Sequence, residues 1–192
     1  MSKIGELVQQ SIDLAEKGLH ELAFAPACKA LRDTAQRSFD AEQIATPDFQ
    51  TFIRQNWKLI NFVGIPRGST LPADLPFRLR RAVPSFNVPD IFQEIVIFAV
   101  RQTLATSRIP IEIGFNKIGG IEVKDDKLLF SNILIFGLLE SVIFDPINKD
   151  EQIPDRYWVN IWDFKMFVSE LWGRQDLAER VMNLYSSNQF QS

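Results

Sequence analysis

Arginine is the residue type whose grouping in this sequence most resembles a binding site. Residues 63–87 carry four arginines and one acid, Asp74, although the whole chain has a formal net charge of −3. The guanidinium group is planar and always charged, and its five N–H donors suit phosphate or carboxylate recognition. Phe77 and Phe86 flank the group and would permit stacking on a base. We therefore predict an anion, nucleotide or RNA site formed by Arg67, Arg78, Arg80 and Arg81.

The same segment also supports a structural interpretation. Residues 63–87 contain repeated Gly and Pro, which interrupt helices and oppose central strands. Irregular segments of this length are uncommon in compact domains and often carry function. The alternative is that the arginines pair with acids of the protein itself and only hold the loop in place. The sequence leaves both alternatives open.

A second group of charges lies on strongly apolar helices. Glu94, Arg101 and Arg108 are seven residues apart and share one stripe of a predicted helix, and Glu140 lies in the most apolar segment of the chain. An unpaired charge is costly to bury, so such groups need solvent or a partner. We expect a buried ion pair between Arg101 and Glu140, with a structural role.

Residues for nucleophilic or metal chemistry are scarce. The chain has one histidine, His20, and one cysteine, Cys28, which excludes a multi-histidine metal site and a disulfide within the chain. His20 is expected at a helix start and Cys28 on an apolar helix face. The glycines form no phosphate-binding motif. Acids of the segment after the central helix do not have calcium-loop spacing and predict a solvated loop; they are Asp145, Asp150, Glu151, Asp155 and Asp163. We expect no catalytic residue, metal or cofactor.

Composition indicates a single soluble domain. The chain has 192 residues, 46% of them hydrophobic and 23% charged, which is typical of a globular domain. Its first residues resemble neither a secretory signal nor a transit peptide. The apolar segment 128–144 contains polar residues and is shorter than the roughly 20 residues that span a bilayer. We therefore expect one cytoplasmic domain, residues 1–192, without membrane association.

Hydrophobic periodicity predicts a mainly α fold, a bundle of six or seven helices with a small inserted β-hairpin. The hairpin is expected within residues 111–130, where apolar and polar residues alternate around Gly119-Gly120 and Asp125-Asp126, and β-structure is expected there alone. The predicted helices begin with one ending near Gly18 and continue through residues 19–39, 46–62, 88–107, 130–144, 159–172 and 174–186.

The N-terminal helix pair carries a family resemblance. Ser11 to Phe39 (SIDLAEKGLHELAFAPACKALRDTAQRSF) resembles the opening helices of HEPN-type domains, with small residues at the close helix contact. Members of that class that cleave RNA carry an arginine followed four to six residues later by a histidine. This chain has no arginine before His20 and no histidine after it. The resemblance therefore implies a helical bundle that associates, and that binds nucleic acid or nucleotide, without the ribonuclease activity.

These observations favour binding over catalysis. The function that we expect is a non-catalytic helical interaction or assembly module, and the alternative is an anion, nucleotide or RNA binder that uses the arginine loop. A third alternative stays open, an enzyme that uses Glu, Asp and Arg without His or Cys. Sixteen Phe and four Trp are a large aromatic content for one core, so we also expect a homodimer.

Overall fold

The computed structural model describes residues 3–69, 91–105, 111–117, 120–124, 127–161 and 164–188. These residues form a mainly α fold, as predicted, together with two small sheets. Buried residues of all the helices and of both sheets join in one apolar core. The seven α-helices of the described residues are α1 (Lys3–Glu16), α2 (His20–Ser38), α3 (Thr46–Gln55), α4 (Trp57–Gly64), α5 (Ile91–Leu104), α6 (Ile133–Ile143) and α7 (Gln175–Asn188).

The helices α1 and α2 form the expected hairpin. Lys3 of α1 pairs with Asp33 of α2, and the Ser11 hydroxyl donates to the Ala23 carbonyl at 2.8 Å, so the two helices run antiparallel. Gly18 turns the chain between them with a φ of +74°, a conformation that glycine adopts without steric cost. The similarity to HEPN-type helices stays a prediction.

A single predicted helix over residues 46–62 is instead two. The chain bends at Asn56, whose side-chain amide donates to the Phe52 carbonyl at 3.1 Å. An asparagine side chain that bonds to the preceding turn competes with continuation of the helix. As a result α4 takes its own direction and packs along α6.

Two glycines let α4 and α6 approach closely. A Cβ atom built on Gly137 would lie 2.8 Å from the Cα and N atoms of Gly64 and from the Ile60 carbonyl oxygen. A Cβ atom built on Gly64 would lie 3.1 Å from the Leu134 Cα. The backbones therefore touch where most helix pairs are separated by side chains.

The first sheet contains the predicted hairpin and one further strand. Strands β2 (Glu122–Lys124) and β3 (Lys127–Ser131) are antiparallel, and β1 (Glu112–Asn116) lies parallel to β3 on its other side. The antiparallel pair of the hairpin is therefore formed by residues 122–124 and 127–131. Phe115 packs between Phe24 of α2 and Phe130 of β3, with ring centroids 5.1 and 6.4 Å apart.

The second sheet corrects the sequence prediction of a helix over residues 159–172 and of β-structure in the first sheet alone. Strands β4 (Trp158–Ile161) and β5 (Phe164–Phe167) are antiparallel and are followed by a 3-10 turn, Val168–Glu170. Val159 and Ile161 are buried whereas Asn160 between them is exposed. This alternation has a period of two, and aromatic and β-branched residues favour it over a helix.

Candidate functional site

An apolar cavity lies between the helical bundle and β4. Its volume is about 530 Å³, within the range of roughly 300 to 1,000 Å³ that is typical of small-molecule sites. Most of its lining is apolar or aromatic, with three polar side chains at its edge. The lining residues are Ile12, Glu16, Phe62, Val63, Ile65, Pro66, Arg67, Ile133, Phe136, Trp158 and Asn160.

Four elements hold this lining in place. The C-terminal half of α1 supplies Ile12, the last turn of α4 supplies Phe62, and the first turn of α6 supplies Phe136. Strand β4 closes the remaining side with Trp158. The glycine contact between α4 and α6 sets the separation of two of these walls, so it also sets the width of the cavity.

Arg67 is the predicted anion-binding residue that the structure places at this cavity. Its guanidinium carbon lies 5.9 Å from the centre of the Tyr185 ring, a cation–π distance. Tyr185 in turn packs against Phe62 and Phe164, with ring centroids 6.1 and 6.2 Å apart. Arg67 also lines a neighbouring cavity of about 420 Å³ with Asn61. The other three predicted residues, Arg78, Arg80 and Arg81, and most of the predicted loop lie outside the described residues.

A second charged group lies beside the cavity, on the α1 side. The Tyr157 hydroxyl donates to the Asp13 carboxylate at 2.8 Å and accepts from Arg156 at 3.0 Å. The hydrogen bond to Tyr157 raises the pKa of Arg156, and the charges of Asp13 and Glu16 add to this effect. The negative charge of Glu16 at the cavity edge is thus partly balanced by Arg156.

The expected ion pair between Arg101 and Glu140 does not form. Arg101 lies on the exposed side of α5, whereas Glu140 is 0% exposed on α6. The acid of the predicted stripe, Glu94, pairs with Arg54 of α3 at 2.7 Å. The stripe therefore faces α3 and solvent, and Arg108 lies outside the described residues.

Glu140 is instead a buried acid without a partner. Within the described residues, neither of its carboxyl oxygens has a hydrogen bond. Burial raises the pKa of Glu140 well above its ordinary value, because the charged form loses its hydration. Burial therefore favours the protonated, uncharged form of this side chain over the carboxylate.

The acidic segment after α6 is less solvated than its sequence suggests. Glu151 is 6% exposed; its carboxylate accepts the Gly5 amide at 2.8 Å and Arg37 at 2.6 Å. Asn148 joins the same network by donating to the Thr34 hydroxyl at 2.9 Å. These bonds tie α1 and α2 to the segment after α6, so Glu151 has a structural role.

Other candidates for chemistry stay apart from one another. Cys28 is fully buried, and burial raises the pKa of its thiol well above the ordinary value, which disfavours the reactive thiolate. His20 lies at the start of α2, as predicted. Within the described residues, no three His, Cys, Asp or Glu side chains come together as a metal site requires. Among the described helices, none is both long and apolar enough to cross a membrane.

Sequence reasoning found one residue of the cavity, Arg67, and missed the rest. Ile12, Phe62 and Phe136 have the helical spacing of ordinary core residues, and nothing in their types distinguishes a cavity wall from a filled core. The sequence predicted a helix directly after Trp158, whereas Trp158 is the first residue of strand β4. The two-residue alternation of apolar and polar residues in β4 was a signal in the sequence that predicts this strand, which forms one wall of the cavity.

The fold and the cavity together define a mainly α-helical protein with an apolar chamber whose lining includes an arginine. The chain belongs to the Rv1289 family, whose model matches residues 3–191. It is 26% identical over 188 residues to uncharacterized protein Rv1289 of Mycobacterium tuberculosis (strain ATCC 25618 / H37Rv), covering 94% of this chain and 88% of that relative. The identity and the two coverages are the same for uncharacterized protein Mb1320 of Mycobacterium bovis. No solved structure matches this chain.

Proposed function

We propose that this protein is a non-catalytic binding protein for a small amphipathic anion. The ligand's apolar body occupies the cavity, and its carboxylate or phosphate lies at Arg67. The observation that carries the proposal is the cavity itself, a chamber of about 530 Å³ with aromatic walls and few polar groups. Such a chamber provides affinity through the burial of apolar ligand surface, and its polar groups orient the ligand.

Arg67 favours an anionic group over a cationic one. Tyr185 faces the guanidinium and limits its motion, so the binding of an anion orders few additional rotamers. Arg156 balances part of the opposing charge of Glu16, which would otherwise repel an anion at the same edge. The anion-binding hypothesis from the sequence thus continues here with a smaller, more apolar ligand than RNA.

Calorimetric titration with decanoate and with decylamine tests this choice of ligand. We expect decanoate to bind and decylamine to bind more weakly. In the Arg67→Gln variant, decanoate affinity should fall about threefold to fivefold at low salt, as for an exposed ion pair, and the difference should shrink as salt rises. Arg101→Gln is the matched control, since Arg101 is also exposed but lies outside the cavity lining. Equal affinities for the two ligands would refute the role of Arg67.

Exposed apolar side chains support a second candidate function, self-association. Of the residues that the structure describes, eight large apolar ones are at least 36% exposed, among them Phe164, Phe167 and Leu184 near the C-terminal end. Exposed apolar surface of this kind is typical of interfaces. Light scattering tests the candidate: a homodimer has twice the 22.0 kDa mass of one chain, and Phe167→Ser should shift the equilibrium towards the monomer. A wild-type monomer at micromolar concentration would contradict it.

A further inference from the structure

Glu140 lies on the face of α6 that lines the cavity, one turn further into the protein. At 100° per residue, Ile133, Phe136 and Glu140 fall within a sector of about 60°. Ile133 and Phe136 belong to the lining, and Glu140 comes one turn after Phe136. Helical side chains tilt towards the N-terminus of their helix, so Glu140 tilts towards the turn that carries Phe136.

Gln9 occupies the corresponding position on α1. Ile12 and Glu16 of α1 line the cavity, and Gln9 precedes Ile12 by one turn on the same face. Near the other end of α1, the Gly5 amide bonds to Glu151, which follows α6 in the chain. The helices α1 and α6 therefore run in opposite directions, and Gln9 lies at about the depth of Glu140.

Both side chains carry buried polar atoms without partners. The two carboxyl oxygens of Glu140 and the Oε1 atom of Gln9 have no hydrogen bond. Leaving such atoms unsatisfied costs free energy, and native proteins avoid it except where a ligand or water completes the site. Two such groups, each one turn from lining residues on the same face of its helix, point to a part of the site that is completed only when a ligand is bound.

We propose that the ligand carries a hydroxyl group at the end remote from its anion, and that Glu140 and Gln9 bind this hydroxyl when Phe136 rotates aside. The inference rests on the proposed function and names its ligand class, an ω-hydroxylated alkyl carboxylate or phosphate. The hydroxyl donates to the Gln9 Oε1 atom and accepts from the protonated Glu140 carboxyl. Arg67 follows α4 and lies near the N-terminal end of α6, where Ile133 begins the helix. Glu140 lies about 10 Å further along α6 from Ile133. This distance separates the groups that bind the two polar ends of the ligand.

Titration of the wild-type protein with decanoate and with ω-hydroxydecanoate tests the inference without any substitution. We expect the hydroxylated compound to bind about tenfold more tightly, the effect of hydrogen bonds to groups that are otherwise buried and unpaired. Equal affinities, or tighter binding of decanoate, would overturn the inference and leave the proposed function intact. Failure of both compounds to bind would overturn the proposed function and this inference with it.

Variants then assign the preference to the two residues. Glu140→Leu keeps the side-chain volume similar and removes the carboxyl group, so the variant should prefer decanoate. Gln9→Leu should reduce the preference for the hydroxyl, whereas Gln10→Leu, on the exposed side of the same helix, should leave it at the wild-type ratio. Retention of the tenfold preference by both Glu140→Leu and Gln9→Leu would contradict the assignment.

Discussion

Substitution of Gly137 by alanine tests the close contact that sets the width of the cavity. The new Cβ atom would lie 2.8 Å from three backbone atoms, the Cα and N of Gly64 and the carbonyl oxygen of Ile60. Backbone atoms cannot rotate away as a side chain can, so α4 and α6 must move apart. Overpacking costs about 1 to 3 kcal/mol, and contact with three backbone atoms places this site in the upper part of that range, about 2 to 3 kcal/mol, whereas alanine gains about 1 kcal/mol in helix propensity over glycine.

We therefore expect Gly137→Ala to lower the free energy of unfolding by about 1 to 2 kcal/mol, which corresponds to roughly 2 to 8 °C in Tm for a chain of this size. Gly64→Ala provides the graded comparison, because its nearest contacts are at 3.1 to 3.3 Å and require a smaller shift. Urea unfolding followed by circular dichroism measures both variants. A Gly137→Ala variant that is as stable as wild type, or more stable, would refute the close helix contact.

Three further predictions concern Glu140, Glu151 and the cavity opening. Burial raises the folded-state pKa of Glu140 above its ordinary value of 4.5, so wild type should lose stability relative to Glu140→Gln as pH rises above that value. In urea unfolding, the free energy of unfolding of wild type should fall relative to the variant by up to about 1.4 kcal/mol per pH unit. A difference between the two proteins that does not change with pH would contradict this prediction. Glu151→Ala should lose about 2 to 3 kcal/mol of stability in the same assay, because it breaks an ion pair in which Glu151 is buried and the arginine is 41% exposed. Asp150→Ala is the control and should lose little stability, since Asp150 is at an exposed site. Ile133→Trp should fill part of the cavity and weaken decanoate binding in calorimetry. Ile147→Trp, which is also exposed but lies outside the cavity lining, should leave the binding unchanged.

Helical periodicity in the sequence was sufficient to predict most of the fold. The apolar stripes of α1, α2, α5 and α6 arise from burial against one core, so their spacing reveals them. Helical periodicity did not predict the break at Asn56, where one polar side chain ends a helix. It also predicted a helix over residues 159–172, although β4 has a two-residue period. A short strand contains too few residues to outweigh a longer helical pattern around it.

The candidate site was less predictable, for a physical reason. A cavity is defined by space between elements, which depends on the contact of Gly64 with Gly137 and on the direction that α4 takes after Asn56. Neither is encoded in the types of the residues that line the cavity. Arg67 could be predicted as a site residue because residue types alone identify a charged residue among apolar ones. The absence of the expected pair between Glu140 and Arg101 could not be predicted, since pairing depends on which faces of two helices meet.

The dependence of affinity on ligand chain length is the most direct measure of the central claim that the cavity binds the apolar body of an amphipathic anion. Calorimetry with alkyl carboxylates that increase by one methylene at a time provides it. Each buried methylene contributes about 0.8 kcal/mol, so the dissociation constant should fall roughly fourfold per methylene until the cavity is full, and then level off. Affinity that does not change with chain length, or no binding by any member of the series, would contradict the account.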